Sequence, residues 1–252
     1  MPAKRFAATA SYDGAEFSGS QRQVNERTVQ AELETAAEAL FGVPTRVEMA
    51  GRTDSGVHAI GQVVAFGADT ALDAATVGRA LNAHLPRDVA VREVREVVEG
   101  FDPRRWARRR WYRYSIWNQE ARAPLLRRTA WHVRGSLDCP AMQEAADALA
   151  GRQDFVACSG LLEDGRTSVR TVFTAGWHCE SGVLLFDIEA DAFLPQMVRR
   201  LVGALVRVGR GALEVEEFVR LLRHAEPGSI GPTAPPHGLC LQHVWYDEGY
   251  SV

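Results

Sequence analysis

Apolar positions along the chain follow two periods, one helical and one extended, and the alternation between them divides the sequence into elements. Residues 28–40 place Val29, Leu33, Ala36, Ala37 and Leu40 on one face at helical spacing, and Gly42 with Pro44 supplies the stop. A second helix is predicted after Asp73, a good N-cap, with Val77 and Leu81 inward. A third follows Asp138, with Met142, Ala145, Ala146 and Leu149 inward and Gly151 as the stop. Between these lie extended segments: 62–66 (QVVAF), 89–97, 111–117, 129–134 and 170–180. The clearest alternation sets Leu184, Phe186, Ile188, Ala190 and Ala192 against Leu185, Asp187, Glu189 and Asp191. After it, Pro195 is expected in the first turn of a helix that turns Met197, Leu201 and Leu205 inward. A short helix at 217–223, a Pro/Gly-rich loop at 227–238 and a last strand at 239–246 complete the pattern.

Strands interrupted by helices without a strict βαβ rhythm predict an α+β fold, with a mostly antiparallel sheet and helices on one face. The other face is then available to a large ligand. A chain of 252 residues builds one large domain or two halves, and we expect two halves sharing one core. With 46% hydrophobic and 24% charged residues the composition is that of a globular protein, which excludes wholesale disorder. No run approaches the roughly 18 apolar residues of a membrane span. The N-terminus enters a strand-like FAATASY without a signal-peptide core, so the expected setting is the cytoplasm. Cys139, Cys158, Cys179 and Cys240 form no C-x-x-C pair and have no histidine at metal spacing. They are expected to be small buried thiols, with neither metal nor disulfide.

The formal net charge of −3 argues against a nucleic-acid partner only until the basic residues are located. Arg104, Arg105, Arg108, Arg109, Arg110 and Arg113 crowd together, interleaved with Trp106, Trp111, Tyr112 and Tyr114. Guanidinium groups beside aromatic rings suit phosphates and unstacked bases. Tyr112 and Tyr114, two apart on a strand, share one face, opposite Trp111 and Arg113.

One carboxylate stands out. In AGRTDSGVHA, residues 50–59, Asp54 lies between Arg52 and a Ser-Gly turn that joins two extended segments. Loops on a rigid sheet carry reactive groups, and glycine permits the close approach of a ligand. An aspartate before Ser-Gly also caps its own turn, and the residues alone leave both readings open. Arg199 near a predicted helix start is opposed by the helix dipole, which points to an anionic partner or to plain solvation. No G-x-G-x-x-G, Walker loop, H-E-x-x-H or G-x-S-x-G occurs. Asp54 with Asp191 is the remaining hydrolase-like carboxylate pair.

The string GRTDSGVHA and its surroundings resemble the TruA family of tRNA pseudouridine synthases. Tyr12-Asp13-Gly14 through Phe17, Gly19, Gln21 and Gln23, then Thr28-Val29-Gln30, is similar to that family's opening. Leu81-Asn82 with Leu85-Pro86 and Asp88, Phe101 with Arg104, and Arg110 through Tyr112 and Tyr114 continue it. Asp154-Phe155, Arg170-Thr171, Phe193 with Met197-Val198-Arg199, and Ala234-Pro235 with Gly238-Leu239 follow in order. Ser20 departs from the family's tryptophan, Asp102 stands where histidine is frequent, and Trp106 replaces a small residue.

The resemblance implies an isomerase that converts uridine to pseudouridine at positions 38, 39 and 40 of the tRNA anticodon arm, acting as a homodimer without cofactor or metal. It implies two RRM-like or ferredoxin-like halves in a continuous sheet, residues 1–120 carrying the reactive aspartate and 121–252 completing a cleft. Asp54 takes the place of the nucleophile, Tyr112 of the tyrosine that stacks on the uracil, and Arg199 of the arginine paired with the aspartate. Arg52 takes the place of the arginine that helps displace the target base. Arg104, Arg108, Arg109 and Arg110 are then expected on the RNA backbone, and His58 in loop support. The alternative is a non-catalytic RNA-binding or RNA-folding protein on the same scaffold.

Overall fold

The computed structural model describes residues 3–160, 167–224 and 226–247. They form two compact units, one of residues 1–108 with 241–252 and one of residues 109–240. Both are built mainly from antiparallel strands and helices, which makes the chain α+β.

The first unit contains β1 (Ala3–Tyr12), α1 (Val29–Phe41), β2 (Glu48–Met49), β3 (His58–Asp69), α2 (Ala74–His84) and β4 (Val89–Val97). This is the β-α-β-β-α-β succession of ferredoxin-like and RRM-like folds. β1 lies antiparallel between β4 and β3, and the short β2 pairs with β3. Phe6, Ala7, Ala8 and Ala10 of β1 and Val63 to Phe66 of β3 are buried on successive positions, so both strands are covered on both faces.

Helix placement follows the signals in the chain. Thr28 caps α1 by accepting the Ala31 N–H at 3.3 Å, and Asp73 caps α2 by accepting that of Thr76 at 2.7 Å. Val29, Leu33, Ala36 and Ala37 of α1 and Val77 and Leu81 of α2 are buried. Asn82 then ties α2 to β4, donating to the Val91 carbonyl at 2.7 Å and accepting its N–H at 2.8 Å.

The second unit contains β5 (Arg109–Trp117), β6 (Trp131–His132), α3 (Cys139–Asp147), β7 (Gly151–Asp154), β8 (Val169–Glu180), β9 (Val183–Ala190), α4 (Met197–Gly209) and α5 (Val215–His224). With β6 and β7 set aside, the run β5, α3, β8, β9, α4 matches the first five elements of the first unit's succession; the strand order is β5-β9-β8-β7 and all three pairings are antiparallel. β6 pairs parallel to β5. Asp138 caps α3, and Gln143 accepts the Trp177 N–H at 2.7 Å, which seats that helix on β8. β10 (Leu239–Trp245) follows, its first two residues in the second unit and the rest in the first.

Several boundaries differ from expectation. Pro195 stands before α4, because Gln196, with φ of 62°, is the left-handed N-cap. α3 ends at Asp147, and Gly151 opens a strand that the sequence pattern does not reveal. Leu185, on the face opposite Leu184 and Phe186, is nevertheless buried. Of the cysteines only Cys158 is buried; Cys139 and Cys179 are exposed and Cys240 is half-buried. Cys139 opens α3 at its solvent end and Cys179 lies near the end of β8, positions that a small apolar side chain occupies without a core around it.

Candidate active site

Asp54 lies on the loop joining β2 to β3, half-buried on a shelf of buried polar groups. The Asp54 carbonyl accepts the Val57 N–H at 3.2 Å, and Gly56 in the third turn position has φ of +78°, as a type II turn requires. Glycine at 56 is therefore the residue this backbone favours.

The loop is anchored to the chain segment that follows β1. Ser20 accepts the Thr53 N–H at 2.8 Å, and its own N–H donates to the Thr53 carbonyl at 3.1 Å. Tyr12 Oη and Thr53 Oγ1 share a hydrogen bond of 2.9 Å. Gln62 donates to the Gly51 carbonyl at 2.8 Å and accepts the Gly51 N–H at 3.3 Å. Ser55 Oγ and the Gly56 N–H both donate to the Phe17 carbonyl. Ser20 and Gln62 are fully buried, and Tyr12 and Thr53 nearly so. Buried polar groups that satisfy one another this completely restrict a loop to one arrangement. His58 serves the same frame: its Nδ1 accepts the Gly14 N–H at 3.0 Å.

Arg52 is exposed on the same loop, two residues from Asp54. Tyr112 and Arg199 belong to the second unit. Tyr112, on β5 opposite Ile188, is 7% exposed, with its ring edge-on to Phe193 at 5.1 Å. Tyr114 shares its face and is fully buried, its hydroxyl donating to the Pro235 carbonyl at 2.8 Å. Burial drives the Tyr114 phenol far above the ordinary tyrosine range, against the opposing charge of Arg199. Arg199 is the third residue of α4. Its Nε donates to the Ala234 carbonyl at 2.9 Å and its own carbonyl accepts the Ala234 N–H at 2.9 Å.

The arginines of the cluster differ in burial and in partners. Arg104 and Arg105 are exposed, and both their N–H groups are capped by Asp102 at 2.9 Å. Arg108 forms an exposed ion pair with Asp247. Arg109 bonds Glu189 at 2.8 Å and covers the Phe173 ring. Arg110 is buried and donates to the Asp191 carbonyl at 2.6 Å. Strand alternation sends Arg109 and Arg110 to opposite faces of β5, which Arg108 precedes. Asp191 itself is a structural cap in the second unit, its carboxylate accepting the N–H groups of Thr171 and Ala192 at 3.0 and 2.7 Å. A hydrolase pairing with Asp54 has no support in that arrangement.

Ser20 and Thr53 lie within the motif segments without a role assigned by them, and Gln62 is a site residue that motif reading does not select. A glutamine opening an otherwise apolar buried strand is the signal that was available, because a buried amide demands partners.

An antiparallel α+β scaffold that presents an Arg-Thr-Asp-Ser-Gly loop on a rigid polar shelf is that of a family of RNA-modifying isomerases. The matching family model is described as tRNA pseudouridine synthase and aligns with residues 8–104 and 145–247; the chain belongs to this family and is an enzyme. Arg52, Asp54 and Arg104 fall in the first matched segment and Arg199 in the second, while Tyr112 lies between them. Similar relatives carry one name, tRNA pseudouridine synthase A. That of Myxococcus xanthus is 42% identical, covering 97% of this chain and 93% of that protein. That of Geobacter sulfurreducens is 43% identical, covering 92% and 96%, and that of Chloroflexus aurantiacus is 42% identical, covering 98% and 90%.

Proposed function

We propose that this enzyme isomerises uridine to pseudouridine at positions 38, 39 and 40 of the tRNA anticodon stem-loop, with Asp54 as the nucleophile. The observation that carries the reading is the half-buried Asp54 carboxylate on a loop hydrogen-bonded at Gly51, Thr53, Ser55 and Gly56, inside a segment matched by the family. A group that must engage one nucleoside among many gains from being held before the substrate arrives.

The reaction breaks the N1–C1′ bond, turns the uracil and joins C5 to C1′; the proton leaves C5 and N1 gains one, so composition is unchanged. Asp54 engages the nucleoside while that bond is broken. Taking the base out of its stack costs a few kcal/mol, and stacking on an aromatic ring returns about 1–3 kcal/mol. Tyr112 is the residue for that role, held in place by Phe193. Arg52 and Arg199 are the substrate-binding cations. The chain's own side chains supply every role, so the reading uses no metal or cofactor. A homodimer in the cytoplasm accords with it; among the described residues no helix is long and apolar enough to cross a membrane.

The test is incubation with an unmodified tRNA transcript followed by carbodiimide mapping of pseudouridine. Product at 38–40 is expected. Product elsewhere overturns the site assignment, and no product overturns the activity.

A further inference from the structure

Beside the Asp54 loop the first unit contains a concavity of about 250 Å³. Four guanidinium groups line it: Arg46, Arg52, Arg104 and Arg105. They come from three separate segments, before β2, after β2 and after β4, so chain folding and not local sequence gathers them. Two carboxylates share the wall. Glu48 is already bonded to Arg5, and the Asp102 Oδ1 is occupied by the Arg104 and Arg105 N–H groups, its other oxygen standing 3.6 Å from Arg105 Nε. Positive charge exceeds negative in a recess whose wall includes Ser20, the same residue that holds Thr53.

We infer that this recess is an anion subsite that takes one phosphodiester of the RNA strand, with Arg46 and Arg105 as its unassigned ligands. The inference rests on the proposed RNA substrate. The volume is below the roughly 300–1,000 Å³ of pockets for whole drug-sized ligands, and it suits a phosphate and its sugar. Guanidinium forks match phosphate oxygens in geometry as well as charge. Arg52 is two residues from Asp54, at most about 7 Å along the backbone. A phosphate in the recess therefore places a neighbouring nucleotide at the carboxylate, and the recess sets the register of the strand as well as its affinity.

The test compares the wild type with the double variant Arg46→Gln/Arg105→Gln, both exposed positions, and with Arg220→Gln as a control for charge alone. Affinity for unmodified tRNA is measured across a salt series. The double variant is expected to bind at least tenfold more weakly and to lower the magnitude of the log–log salt slope by about one, whereas the control leaves both unchanged. In a second arm, single methylphosphonates are placed along the anticodon strand. One position is expected to weaken binding to the wild type and to have no effect on the double variant. An unchanged salt slope, or no methylphosphonate position with that behaviour, overturns the inference. Inorganic phosphate that competes with RNA equally in both proteins also overturns it. Failure of the proposed function is distinguishable, since it appears as a wild type that forms no pseudouridine.

Discussion

The Ser20 hydroxyl accepts the Thr53 N–H at 2.8 Å, one residue before Asp54, with both partners buried. The Ser20→Ala substitution leaves that N–H without its acceptor in a site closed to water. The expected loss is about 1–3 kcal/mol of stability, read from urea unfolding. Because the loosened segment carries Asp54, the single-turnover rate of pseudouridine formation is expected to fall further than tRNA affinity. A loss confined to affinity would assign Ser20 to RNA contact alone.

Asp54→Asn and Asp191→Ala are expected to fail in opposite ways. The first removes pseudouridine formation while tRNA affinity and melting temperature stay near those of the wild type. The second removes the acceptor for the Thr171 and Ala192 N–H groups and is expected to lower stability by about 1–3 kcal/mol. Activity and thermal melts on both variants separate the assignments; substantial activity in Asp54→Asn sinks the nucleophile.

Arg108 and Arg110 stand two apart in one basic run yet differ in consequence. Arg108→Gln breaks only an exposed pair with Asp247, and its thermal melt is expected to match the wild type. Arg110→Ala removes a buried donor to the Asp191 carbonyl, and a stability loss of about 1–3 kcal/mol is expected. Equal losses in calorimetry would contradict the contrast between an exposed pair at Arg108 and a buried donor at Arg110.

Gly238 approaches the Tyr114 ring so closely that a Cβ there would stand 2.5 Å from its Cζ. Gly238→Ala forces a rigid, fully buried ring to move, with an expected cost of about 1–3 kcal/mol. The lowered melting temperature is expected to be recovered in part by adding Tyr114→Leu, which opens the space.

Alkaline pH tests the buried phenol. Burial raises the folded-state pKa values of Tyr114 and of the Cys158 thiol above those of the unfolded chain. Their contribution to stability is thus complete below the unfolded values, about 8.5 for the thiol and 10 for the phenol, and is lost as pH rises toward the folded ones. Urea midpoints are expected to hold from pH 7 to 8 and to decline above pH 9, less steeply in Tyr114→Phe. Cys158 is expected to resist thiol reagents at pH 9 until the chain unfolds.

Much of this architecture is legible in local pattern. Thr28, Asp73 and Asp138 mark helix starts because a side-chain oxygen satisfies an N–H in the next turn, and that geometry needs no distant partner. The alternation of β5 and the turn at Gly56 are local in the same sense, as is the motif that singles out Asp54. What surrounds Asp54 is not local. Ser20 and Gln62 meet at its loop across 33 and 11 residues of chain, and Arg46 and Arg105 meet across a longer span at the same recess. Proximity in sequence misleads for Arg108, Arg109 and Arg110: Arg108 precedes β5, Arg109 and Arg110 face opposite ways along it, and each finds its own partner. Periodicity and motif order define elements, fold class and the candidate acid, since each depends on residues a few positions apart. Which buried polar groups hold that acid, and which cations stand beside it, depends on contacts between segments that only the folded chain brings together.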